Sequence, residues 1–354
     1  MNINLIAEAQ FQRAQISLAR PTTVRMWIMN FCAFMAIVQS SLTDSYSSLL
    51  LALSAVFAAV LTEFLILRES GKGKAIKDGS AVASALILVL LLPNNISPFY
   101  AAAGAIFAIA VIKHSFGGLG SNWLNPAAGG WLFINFSWPA AFKTALEGSH
   151  LSLMSENFSN AGAGFGTLDF SAFYASSAPI ADTFRIFLNN TIFSVFTAEI
   201  PAGYLEFFVS RSPGIIADRG VFALILGTII ISATQVSRIW IPIVYISVFG
   251  IFVRIAGALP FGGIFGNGDV LFALCTGGTL VAAFFLMADP ATGAKSNRGI
   301  LLTAALGGII AFLFRYFGAE PYGAVFALLF INAILPLIRI AENKNLYEKQ
   351  GIST

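Results

Sequence analysis

Apolar runs close to 20 residues long, each ended by a short polar break, recur from residue 24 to residue 340. The hydrocarbon core of a bilayer is ~30 Å thick and an α-helix rises ~1.5 Å per residue, so about 20 apolar residues cross it. The runs fall near 24–41, 47–67, 79–93, 98–113, 126–142, 220–236, 239–257, 269–288, 299–317 and 322–340. Only 10% of the 354 residues are charged, and 57% are hydrophobic. A soluble domain of this size carries roughly a quarter charged residues, so that class is excluded. The pattern also lacks the short alternating segments of an outer-membrane barrel. The chain reads as an all-α, polytopic membrane protein with about ten transmembrane helices. The third to fifth runs are short, which calls for re-entrant or half-buried ends.

Basic residues give the orientation. With a cytoplasmic N-terminus, fourteen of the 20 lysines and arginines fall on cytoplasmic segments, among them Arg68, Lys113, Arg238 and Lys295. Arg254 and Arg315 fall near external ends and read as interfacial anchors. This positive-inside bias places both termini in the cytoplasm, as expected of a multi-pass protein of a bacterial inner membrane. The polar start "MNINLIAEAQFQRAQ" reads as a cytoplasmic lead-in, not a signal peptide.

Four regions follow. Residues 1–143 form an N-terminal five-helix half and 144–218 a long extracytoplasmic insertion. A C-terminal five-helix half occupies 219–341, and 342–354 is a cytoplasmic tail. An odd-numbered unit repeated within one chain sits in opposite orientations, so the count is compatible with an inverted repeat. The insertion mixes Gly, Ser and Asn with aromatics, which points to a folded external segment, and "ADTFRIFLNNTIFSVF" suits an interfacial helix.

One segment stands apart from the apolar background: "GGLGSNWLNPAAGG", residues 117–130. Glycine and proline break helices, and each unsatisfied backbone group inside a bilayer costs several kcal/mol. The segment is therefore either an elbow where glycines let helices pack closely, or the wall of a binding cavity. Asn122 and Asn125 offer both donors and acceptors, which suits the edge of a planar heterocycle.

Acidic residues supply the remaining candidates. Asp289 in "FFLMADPATGAKSNRG" precedes Pro290, where helix is disfavoured, and reads as an ion-pathway carboxylate or a cap paired to Lys295 or Arg298. Glu63 lies well inside the second run, as an ion-pathway group or one paired near Arg68. Asp78 sits at a helix start, where a carboxylate caps and favours the helix dipole. Cys32 and Cys275 lie far apart in apolar runs and read as buried small hydrophobes. No metal cluster, catalytic His pairing or nucleotide loop is apparent, so no catalytic residue is assigned and no metal is expected. The net charge of +3 is scattered between spans, which excludes nucleic-acid binding by a basic patch.

"KDGSAVASALILVLLLP", "GGLGSNWLNPAAGGW", "AFFLMADPATGAKSNRG" and "RYFGAEPYGAVFALLFINAILPLI", in this order, resemble the NqrB/RnfD family, and the length sits closer to RnfD. These are membrane flavoprotein subunits of the Rnf/Nqr ion-pumping oxidoreductase complexes. The resemblance implies a non-covalent flavin, riboflavin or FMN, near Asn122 and Asn125. Gly118 and Gly120 would give close backbone approach, with Trp123 against the ring. It also implies partner subunits, membrane and peripheral, and movement of sodium or protons through groups such as Glu63, Asp78 and Asp289. The family's second flavin, FMN, is joined to a threonine in the insertion. The counterpart here is "FYASSAPIADTF": Ser176, Ala178 and Pro179 match, but Phe173 replaces the aspartate and no threonine follows Ala178. Covalent FMN is therefore not expected.

The leading reading is a membrane subunit of such a redox complex, holding a buried flavin and not catalytic alone. A non-redox scaffold of a membrane assembly and a small-solute channel or transporter are its rivals. Bound flavin discriminates against the first, and solute uptake without redox partners marks the second.

Overall fold

A computed structural model describes residues 21–43, 46–69, 77–147, 179–191, 193–196, 205, 214–261, 263–289, 292–294, 296–318 and 322–349. The described residues form fourteen helices and no β-strand. In the first half these are α1 (Thr22–Thr43), α2 (Ser47–Glu69), α3 (Ser80–Leu90) and α4 (Pro98–Phe107), followed by α5 (Pro126–Ser137) and α6 (Pro139–Glu147). The last seven residues of the fourth run, Ala108–His114, continue α4 as a π-helical segment. α7 (Pro179–Thr191) lies within the insertion, and α8 (Ile216–Arg219) precedes the second half. There follow α9 (Val221–Ala233), α10 (Trp240–Ala256), α11 (Val270–Cys275), α12 (Thr279–Val281), α13 (Asn297–Tyr316) and α14 (Gly323–Lys349). A second π-helical segment, Ala282–Leu286, extends α12.

Three helical spans, Ser47–Glu69, Asn297–Phe317 and Gly323–Glu342, are long and apolar enough to cross a bilayer, and four shorter apolar helices accompany them. The chain is a polytopic helical membrane protein. Its exposed surface is correspondingly apolar: Leu50, Leu53, Phe57, Phe64 and Leu65 all stand exposed along α2. On a water-facing helix such a stripe would be a liability, whereas lipid solvates it.

Local chemistry accounts for most helix ends. Ser97 precedes Pro98 and caps α4, its hydroxyl accepting from Phe99 N at 3.4 Å. Asp269 caps α11 through Phe272 N at 3.0 Å, and Ser296 caps α13 through Gly299 N at 3.0 Å. The fifth run breaks at Trp138 because the residue before a proline is driven out of the helical region, leaving φ −133° and ψ 59°. The eighth run, expected to be continuous, breaks between Cys275 and Thr279, where Gly277 and Gly278 both take φ 68°. At the C-terminus the expected boundary at 341 is not a helix end. "AENKNLYEK" is rich in good helix formers, and α14 runs on to Lys349.

The two halves interlock. α1 packs against α9 through Gly220 and Gly227: a Cβ at Gly220 would lie 2.7 Å from the Ala36 carbonyl oxygen, and one at Gly227 3.0 Å from Cys32 Cβ. Deeper in, Trp131 of α5 is fully buried and meets Tyr322 and Phe326 edge-on, at 5.8 and 5.2 Å between ring centroids. The end of the insertion also packs into the core. Ile215, Ile216, Ala217 and Asp218 are buried, Ile215 pairs with Pro93 as an isolated antiparallel bridge, and Ile216 N donates to Leu92 O at 3.0 Å. Residues this apolar gain more from the bundle interior than from the external surface. Both cysteines are buried, unpaired thiols.

Candidate functional site

The N-terminal end of α1 marks one face of the bundle, and on it the broken segments converge. α3 opens there with Gly79 at φ 77°, a left-handed conformation suited to glycine, and Asn30 of α1 donates to its carbonyl at 3.0 Å. Gly79 is the N-cap of α3, and Asp78 just before it accepts from Ser80 N at 2.8 Å and from the Ser80 hydroxyl at 2.6 Å, so its carboxylate satisfies the first amide of the helix.

Beneath this cap lies a buried charge cluster. Lys113 and Glu63 form an ion pair, with only 2% of the lysine side chain and 3% of the glutamate side chain exposed. Lys113 also donates to the Ser80 hydroxyl at 2.5 Å, and His114 Nε2 lies 3.4 Å from the same Glu63 oxygen. The expected partner region of Glu63, near Arg68 on its own helix, is thus corrected to Lys113, fifty residues further on. Lys113 itself was expected at the cytoplasmic surface. The π-helical register of Ala108–His114 turns it inward instead, as such segments do at functional sites.

The glycine-asparagine loop divides its labour. Asn125 is the N-cap of α5: its Oδ1 accepts from Ala127 N at 3.0 Å and Ala128 N at 3.3 Å, with Pro126 in the first helical position. Its Nδ2 donates to Asp289 Oδ2 at 3.2 Å, tying the first-half loop to the second-half one. Thr292 donates to the same Asp289 oxygen at 3.1 Å. Asn125 is therefore occupied by protein on both ends of its amide. Asn122 is only 5% exposed, yet its Oδ1 has no hydrogen-bond partner. Gly118 and Gly120 both take φ 93°, and a Cβ at Gly120 would meet nothing within 4 Å, so this stretch of backbone faces open space. Trp123 stands half out of the bundle, edge-on to Phe116 at 6.0 Å. Asn125→Ala should lower the melting point of the detergent-solubilised chain by an amount equivalent to about 1 kcal/mol, the usual value of an N-cap.

Two cavities open on this face. A cleft of about 40 Å³ is lined by Ser80, Lys113, Asn122, Asn125 and Asp289, with Phe285 from the π-helical turn. That volume holds a few waters. A larger cavity of about 700 Å³, lined by Arg25, Arg238, Trp240, Met287 and Asp289, adjoins it through the shared aspartate. This falls within the size range of small-molecule and cofactor sites. Of the acidic candidates, Asp289 and the Glu63 cluster converge on the cleft, while Asp78 reaches it through Ser80. Ser176, Ala178 and Lys295 lie outside the described residues. Pro179 begins α7.

A second constellation was not anticipated from sequence. At the break in the eighth run, Asp218 accepts from Gly277 N at 3.0 Å and Gly278 N at 2.9 Å, the free amides at the start of α12. From the other side Arg315 donates to the carbonyls of Ala273 at 2.6 Å and Thr276 at 2.8 Å, at the end of α11. It also donates to the hydroxyls of Thr276 and Thr279. Arg315 is therefore a clamp on a helix break and not the interfacial anchor its position suggested; carbonyls freed inside a bundle demand a donor more strongly than the interface attracts a cation. Two adjacent glycines inside "FALCTGGTLVAAF" were the available signal.

The geometry defines a polytopic membrane protein whose two halves meet at a polar, cavity-bearing face built from broken helices. The family model described as the NQR2, RnfD, RnfE family matches residues 11–348, and the chain belongs to that family. It is 29% identical over 341 residues to the D subunit of the proton-translocating ferredoxin:NAD(+) oxidoreductase complex of Clostridium ljungdahlii, covering 94% of this chain and 96% of the relative. It is 28% identical over 336 residues to the D subunit of the ion-translocating oxidoreductase complex of Escherichia coli O7:K1, covering 90% and 92%.

Proposed function

We propose that the chain is the RnfD-like membrane component of an ion-translocating electron-transport complex in a bacterial inner membrane, and that it holds a non-covalent flavin on the polar face. The observation that carries this is Asn122: a buried amide oxygen with no partner, in a cleft lined by Lys113 and Asp289. An unsatisfied buried acceptor is rare unless a ligand or water meets it. The residues present fit a flavin. Trp240 and Met287 would supply apolar surface in the 700 Å³ cavity, which has room for the ring system, and Asn122 of the adjoining cleft would accept from the N–H of its pyrimidine edge.

A flavin held there supplies one- and two-electron transfer between the partner subunits of the complex. The chain's own residues would hold and orient it, exclude lipid from it, and place the carboxylate of Asp289 beside it, with Glu63 behind Lys113. These carboxylates, with Asp78 at the surface, mark the entry for sodium ions or protons from the same face. A change of charge on a flavin held there would be felt strongly by Asp289 in a low dielectric.

The full chain, purified and run on a denaturing gel, should show no flavin fluorescence in its own band, because no threonine follows Ala178 in the attachment motif. Gentle extraction of the native protein should release a free flavin. Asn122→Ala should reduce bound flavin about tenfold, matching ~1.4 kcal/mol for one hydrogen bond to a buried group, with little loss of melting point. Native protein whose extract contains no flavin by mass spectrometry would sink the proposal.

A further inference from the structure

We infer that Lys113 is the cationic donor of the cleft, and that its N–H meets an oxygen of the ligand whose negative charge grows on reduction. This rests on the flavin reading above. An ammonium carries three donors. Glu63 and Ser80 take two of them, and among the described residues no protein group takes the third. Lys113 lines the same cleft as Asn122, whose Oδ1 lacks a donor. The wall of the cleft thus carries both a spare donor and a spare acceptor. A pyrimidine-type edge, with a carbonyl beside an N–H, satisfies both at once.

The charge arrangement adds a second element. Glu63 fixes the ammonium inside the bundle and neutralises it when the ligand is uncharged. Reduction would make the carbonyl oxygens of a bound flavin better acceptors, and the Lys113 ammonium would then hold it more strongly. Glu63 acts only through the lysine and is a positioning residue. Ser80 holds the ammonium at the cleft side of the pair. The structure therefore gives Lys113 a preference for the reduced ligand.

The test uses the full chain in nanodiscs with added riboflavin, titrated in its oxidised form and after reduction by dithionite. Glu63→Gln/Lys113→Met removes both charges and the donor without stranding either charge. Its preference for reduced over oxidised riboflavin should fall about tenfold, equivalent to a ~30 mV drop in the two-electron potential. Lys113→Arg keeps the charge and should hold the wild-type preference within threefold. A change of less than threefold in the double variant overturns the inference. So does an equal loss of affinity for both redox forms in both variants, the mark of a purely structural role. Wild-type chain that binds riboflavin in neither form overturns the flavin reading itself, and this inference with it.

Discussion

Replacing Lys113 alone by glutamine should lower the stability of the detergent-solubilised chain by about 3–5 kcal/mol, the usual consequence of breaking a buried ion pair from one side. Glu63 would be left as a carboxylate with 3% of its side chain exposed, facing His114 but no fixed cation. Lys113→Gln and Glu63→Gln should each show this loss, whereas the double variant Glu63→Gln/Lys113→Gln should recover most of it. Two glutamines of similar volume can hydrogen-bond to each other and to Ser80, and neither requires a counter-charge. Reversible unfolding in mixed micelles across the four proteins measures the coupling directly. A cycle in which the double variant is as unstable as the sum of the singles would mean that each residue is held by something other than its partner. A pair replaceable as a unit would serve something other than stability, and the adjoining cleft supplies a reason for two charges there.

How far the sequence alone reaches can be judged residue by residue. The apolar runs locate the helices because membrane spans are written in length and composition, both local properties. The loop containing Asn122 and Asn125 and the turn at Asp289 stand out because helix breakers inside an apolar chain need an explanation wherever they fold. Their meeting, through the 3.2 Å contact between Asn125 and Asp289, joins positions 164 residues apart and is legible only in three dimensions. The same holds for Glu63. Its being unusual was evident from its apolar surroundings, but its partner was not, because Lys113 stands at the end of a run, where a lysine ordinarily reaches the interface. The π-helical segment that turns it inward leaves no propensity signature. Asn125 shows the opposite case. Its place before a proline at a helix start is a capping signal, and reading it mainly as a ligand contact gave too little weight to that local chemistry.

Arg315 carries the other large expected effect. The break between α11 and α12 leaves carbonyls of one helix end and amides of another inside the bundle, where water is not available to satisfy them. Arg315 covers the carbonyl end and Asp218 the amide end, so each charge also opposes the partial charge of the helix terminus it faces. Arg315→Leu should therefore cost about 3–5 kcal/mol, since two carbonyls and two hydroxyls lose their donor together and Asp218 loses a compensating cation. Arg315→Lys should recover only about half of that loss. A lysine restores the charge but not the planar fork that reaches Ala273, Thr276 and Thr279 at once. Asp218→Asn keeps one acceptor oxygen for Gly277 and Gly278 and should be milder, at about 1–2 kcal/mol. The three variants rank the contributions of charge, geometry and hydrogen-bond count at a single helix break. A lysine variant as stable as wild type would show that charge alone holds it closed.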